Sequence, residues 1–128
     1  MKEDEDIAIV YTKKEEIQKI VDKFKEYSFD KLKKRSHYYY SLYQKDTNEQ
    51  ELIYFYQNFN KIEMITFRKR KNGTNNYDVF YKKDDGTYII YAISLDTIPP
   101  TLINAYPVSR NFEEFKKYII KKYWKEMV

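Results

Sequence analysis

Apolar side chains recur along this chain with two different periods. Residues 7–11, IAIVY, are too few for a globular helix and rich in β-branched side chains, so they read as a first strand or an extended arm. From Lys13 the spacing changes. Ile17, Ile20, Val21, Phe24, Tyr27 or Ser28, and Leu32 follow one helical face with Lys and Glu on the other, and Thr12 followed by Glu15 has the form of a capping box, which predicts a helix over 13–34. The next stretch, SHYYYSLYQ over 36–44, has aromatics at nearly every position. It fits a strand with Tyr38, Tyr40 and Leu42 on one face and Tyr39, Ser41 and Tyr43 on the other, or a continuing helix. Polar residues 45–50 break the pattern, and a short helix fits 51–59, where Leu52, Tyr56 and Phe59 share a face and Thr47 or Asn48 caps the start.

After Lys61 the period is two. Ile62, Met64 and Thr66 alternate with Glu63, Ile65 and Phe67, and the run RKRKNGTNN then brings an Asn72-Gly73 pair, a strong hairpin signal. Residues 78–83 resume a strand, Asp85-Gly86 makes a second turn, and the apolar run 87–95 reads as a central strand that Pro99-Pro100 prevents from continuing. A last strand over 101–106 is stopped by Pro107. Asn111 then caps a helix over 111–126 with Phe112, Phe115, Ile119, Tyr123 and Met127 in an apolar stripe, Glu113 and Glu114 at its start and lysines later. Together these elements predict a single α+β domain spanning residues 1–128: an N-terminal helix or helices, an antiparallel sheet of about four strands and a closing C-terminal helix.

Composition adds one unusual term. Aromatic residues make up 19% of the chain, 15 of them tyrosine, and rings serve equally to fill a core or to line a surface that stacks on bases. The formal charge is +4, and it is unevenly spread: residues 2–6 sum to −3, residues 13–35 to +4 and residues 61–83 to +5. Concentrated positive charge favours a polyanionic partner, although a lysine-rich helix is also an ordinary solvated face. The absence of cysteine excludes disulfides and thiolate chemistry, and a single histidine leaves a transition-metal site short of ligands. Asp78, Asp84, Asp85 and Asp96 are the nearest to a magnesium set, but three of them fall at turns or strand ends, so neither metal nor cofactor is expected. The acidic start lacks the basic and apolar regions of a signal peptide, and no apolar run approaches 18 residues. A soluble, cytoplasmic protein with no membrane partner is therefore expected.

Basic and aromatic side chains without a metal suit one reaction class. RNA is cut by its own 2′-hydroxyl when a protein aligns that oxygen, accepts its proton, stabilises the charged phosphorus centre and protonates the leaving oxygen. The residue types suited to these catalytic roles are His37, Arg68, Arg70, Asn104 and Tyr106; Lys69, Lys71, Tyr77 and Arg110 are suited to holding the nucleic acid. Each has a plainer reading, as a helix-end histidine, a solvated charge before a turn or a packed tyrosine ahead of a proline.

The stretch TFRKRKNGTNNYDVFYKKDDGTYIIYAIS, followed by PTLINAYPVSRNFEEFKKYI, resembles the metal-independent toxin RNases of the barnase, colicin and RelE-like assemblage. In that assemblage helices precede an antiparallel sheet, and a late strand carries a polar residue before Ala-Tyr-Pro, here Asn104 before Ala105, Tyr106 and Pro107. The resemblance implies an RNA substrate, a role for His37 after the first helix, and a cognate antitoxin or immunity protein. Three functions follow from the chain: a metal-independent endoribonuclease of the toxin type, a non-catalytic RNA- or DNA-binding module, or a viral or mobile-element protein that binds and inhibits another protein.

Overall fold

The computed structural model describes residues 7–69 and 75–128. A sheet forms the centre, with strands β1 (Ile7–Tyr11), β2 (Lys33–Lys34), β3 (Ile62–Lys69), β4 (Asn75–Lys82), β5 (Tyr88–Ser94) and β6 (Thr101–Val108). Their order is β1-β3-β4-β5-β6-β2. Every pairing is antiparallel except β2 with β6, so the sheet is six-stranded and mixed, which corrects the expected antiparallel sheet of about four strands. The two extra strands flank the β3–β6 meander: 7–11 pairs with β3 rather than standing off as an arm, and β2 lies inside the stretch whose spacing reads as helix.

Among the described residues four helices complete the fold: α1 (Lys14–Val21), α2 (Ser36–Gln44), α3 (Glu49–Tyr56) and α4 (Phe112–Lys122). The helix expected over 13–34 is thus only eight residues long. Beyond it, turns and a single 3-10 turn at Phe29–Lys31 still bury Phe24, Phe29 and Leu32, because a chain folded back on the core also brings apolar residues to one side at intervals of three to five. The capping box does not form: Lys13 precedes the helix and no side chain caps it. Asn48 does cap α3, accepting from the Gln50 amide, and Asn111 caps α4, accepting from the Glu114 amide. Pro107 lies within β6 rather than ending it, paired with Ile89 on β5. The last helix ends at Lys122, and a 3-10 turn covers Trp124–Glu126.

A core lies on each face of the sheet. Ile65, Val79, Tyr81, Ile89, Tyr91, Ile93 and Leu102 point to the side where α1 contributes Ile17, Ile20 and Val21, α2 contributes Tyr38 and α3 contributes Leu52 and Tyr56. Met64, Phe80 and Tyr88 point to the other, against Phe112, Ile119 and Tyr123. A register shift between Ile62 and Met64 lets both be buried on opposite faces, a bulge where strict alternation is expected. The Asp85-Gly86 turn is present, with Gly86 at a φ of 90° that favours glycine, and its carbonyl accepts from the Phe112 amide at 2.8 Å, tying the hairpin to the start of α4. The Asn72-Gly73 turn lies outside the described residues.

Candidate functional site

Helix α2 decides where the unusual tyrosines go. It starts beside β6, where the Arg35 amide donates to the Leu102 carbonyl, just after β2 has paired with Thr101 and Leu102. It then runs alongside β6 and ends at Lys45, whose ammonium sits 4.0 Å from the centroid of the Tyr106 ring. At its end the Thr47 amide donates to the Leu42 carbonyl and the Asp46 amide to that of Tyr43, with Asp46 at a φ of 48°. This is the left-handed closure usually given to glycine. Of the two readings of 36–44, the structure has the helix.

Only part of α2 serves the fold. Tyr38 and Ser41, three residues apart, are buried, and the Tyr38 hydroxyl donates to Glu49 at 2.9 Å; burial first, and then this carboxylate, hold that phenol far above its ordinary range. Tyr39, Tyr40 and Tyr43 face outward, Tyr43 being 85% exposed, and His37 is exposed on the first turn. Residues 31–45, KLKKRSHYYYSLYQK, carry Lys31, Lys33, Lys34, Arg35 and Lys45 and no acidic residue. Lys34 is drawn inward, donating to the Phe29 and Leu32 carbonyls over the Phe29 ring, and burial lowers its pKa. Arg35 and Lys45 remain exposed at the two ends of the helix. Basic side chains therefore bracket an open row of aromatic rings.

The sequence-derived candidates divide into groups. His37 on α2 and Asn104 and Tyr106 on β6 lie along this one sheet edge. They do not converge on a single reacting centre: His37 and Lys45, which covers Tyr106, are eight residues apart on the helix, about 12 Å along its axis. Asn104 turns its carboxamide oxygen to the Ala105 amide at 2.9 Å. Arg68 lies on β3, three strands from β6 and so about 14 Å away across the sheet. Its Nε donates to Asp78 at 2.6 Å, with both side chains nearly buried, and the Asn76 amide donates to the same carboxylate at 3.0 Å. Lys69 is exposed at the end of β3. Tyr77 is half-buried against Phe67, ring centroids 4.9 Å apart, and burial, with Asp96 nearby, raises its pKa. Arg110 is exposed after β6, 5.5 Å from the Phe115 ring. Arg70 and Lys71 lie outside the described residues.

Periodicity does not set Arg35, Lys45 and the outward tyrosines apart from their neighbours, because aromatics at nearly every position hide which face is buried. The signal that finds them is the acid-free basic run around them. Among the described residues no group of three or more His, Asp or Glu side chains is placed to hold a metal ion, and no helix is long and apolar enough to cross a membrane. Comparison of the chain with protein-family models, with curated proteins and with solved structures finds no match.

Proposed function

We propose that this protein is a binding module for single-stranded RNA whose contact surface is the outer face of α2 and the adjoining edge of β6. One observation carries the reading: a basic, acid-free segment presents Tyr39, Tyr40 and Tyr43 outward on one short helix with exposed cations at each end. Exposed rings stack on bases of any identity, and flanking cations attract the backbone, which is the chemistry of sequence-tolerant single-strand binding. A core has no use for three solvent-facing tyrosines on one helix. Cleavage is the second reading, and it draws on the toxin-RNase resemblance and the exposed imidazole of His37 on the same helix. The separation of the other candidate groups favours holding RNA over cutting it.

A salt titration of affinity for a labelled single-stranded RNA tests this. Arg35→Gln with Lys45→Gln should lower the slope of log affinity against log salt by about 1.4, two phosphate contacts at roughly 0.7 each. Tyr40→Ala with Tyr43→Ala should weaken binding by about 1–3 kcal/mol per stacked base while leaving that slope in place. All four side chains are exposed, so circular dichroism should not change. Wild-type slope and affinity in both variants would return α2 to the status of a solvated face. RNA kept with the protein in excess EDTA should stay intact; scission lost in His37→Ala would select the cleavage reading.

A further inference from the structure

A second basic and aromatic surface lies elsewhere in the fold, and the α2 edge does not account for it. Helix α4 spends its apolar stripe on the core, burying Phe112, Ile119 and Tyr123 against Met64, Phe80 and Tyr88. Its outer side and the turn after it then carry five lysines in ten residues, 116–125, with no acidic residue among them. Lys117, Lys121 and Lys125 are exposed and take no part in the ion pairs found among the described residues. Of the carboxylates that border the stretch, Glu113 is held by Lys82 at 2.8 Å, while Glu114 and Glu126 stand at its two ends. Among these lysines Trp124 is 65% exposed, and Tyr118, six residues earlier on α4, is exposed as well.

We infer that this α4–Trp124 surface docks on an anionic lipid bilayer. Large amphipathic rings set among lysines are the side chains found at the headgroup level of membranes, where ammonium groups meet lipid phosphates and carboxylates and the indole enters the interface. Two features favour lipid over nucleic acid. A lysine already sits over the exposed indole, Lys125 at 5.5 Å from the Trp124 centroid, which occupies a face a base would stack on, and Lys122 donates to the Tyr118 hydroxyl at 3.3 Å. The surface also lies on the side of α4 and its following turn that faces away from the sheet, where it can meet a flat array of charges. Because the apolar stripe is committed inward, insertion is limited to Trp124 and Tyr118, so attachment is shallow, electrostatic and reversed by salt.

Trp124 is the only tryptophan in the chain, so its emission reports on this surface alone. Phosphatidylcholine vesicles carrying phosphatidylserine should shift its emission to the blue and sediment the protein, pure phosphatidylcholine vesicles should do neither, and raised salt should reverse both effects. Lys117→Gln with Lys121→Gln and Lys125→Gln should lower vesicle partition about 100-fold, at roughly fivefold per lysine, with circular dichroism unchanged. Arg35→Gln with Lys45→Gln should bind vesicles like the wild type, so loss of RNA binding and loss of lipid binding are read separately. The inference is overturned by an unshifted emission with the anionic vesicles, by equal binding to neutral ones, or by wild-type partition of the triple variant. It is equally overturned if single-stranded RNA, and no vesicle, moves the Trp124 emission.

Discussion

Raising the pH should unfold this protein through its buried tyrosines. Tyr81 and Tyr91 from the sheet and Tyr56 from the end of α3 meet in the core, almost wholly removed from solvent. The Tyr81 hydroxyl donates to the Tyr56 carbonyl at 2.7 Å, that of Tyr91 to the Leu52 carbonyl at 2.6 Å, and that of Tyr56 to the Tyr27 carbonyl at 3.1 Å. Each must keep its proton to make its bond, and burial raises all three pKa values far above the ordinary phenol. The unfolded chain releases these protons near pH 10 while the folded one holds them. Folded pKa values above unfolded ones mean that the stability is fully present below pH 10 and is lost as the pH climbs past it.

Each group that stays protonated only in the folded state removes about 1.4 kcal/mol per pH unit, so three remove about 4 kcal/mol per unit and about 8 kcal/mol by pH 12. That matches the whole stability of a typical domain, about 5–15 kcal/mol. Phenolate absorbance and far-ultraviolet circular dichroism should be followed together. Ionisation of Tyr56, Tyr81 and Tyr91 should come in a steep step above pH 10 that coincides with loss of the circular dichroism signal. A single phenolate wave near pH 10, with the fold intact throughout, would refute the buried hydroxyl bonds.

Two substitutions test the fold elsewhere. Asp78→Ala should cost about 3–5 kcal/mol in chemical denaturation, because it strands the nearly buried Arg68 guanidinium without its 2.6 Å partner; Lys61→Ala, which breaks an ion pair to the exposed Asp84, should stay within about 0.5 kcal/mol. Asp46→Gly should raise the melting temperature, by the equivalent of about 0.5–1 kcal/mol, since glycine adopts the left-handed closure of α2 without strain, and an unchanged or lowered value would count against that closure.

What was legible in the sequence follows from how local its cause is. The four strands from β3 to β6 and the start of α4 come from period two, a glycine turn and an asparagine cap, all set by neighbours along the chain. Strand β2 has no such signature: it is two residues long, and its parallel partner lies about seventy positions away in β6, so only tertiary structure defines it. The end of α1 was hidden for a related reason, since Phe24, Phe29 and Leu32 are buried by a folded-back chain and keep a helical spacing without a helix. At the candidate site, sequence chemistry picked out His37, Asn104 and Tyr106, which the fold brings to one edge. Arg68 looked like a phosphate ligand because Asp78, ten positions on, becomes its neighbour only through the β3–β4 register.

Both edges of the sheet are partly covered by the chain itself. On one side Met127 bridges to Val10, and the Val128 amide donates to the Val10 carbonyl at 3.0 Å. On the other, two residues of β2 and then α2 run beside β6. An edge guard has to present one apolar side inward, which Tyr38 and the half-buried Leu42 supply, and any soluble side outward, for which lysine and glutamate would serve. The outward side of α2 instead carries Tyr39, Tyr40 and Tyr43, whose rings add apolar area facing water and which edge protection does not require. Edge protection thus explains the position of α2 but not its tyrosines, and the proposed contact with RNA draws on that difference. Because α4 lies on the opposite face of the sheet from the core that α2 joins, substitutions at the two surfaces share no contacts, and their effects on RNA and lipid binding should add rather than couple.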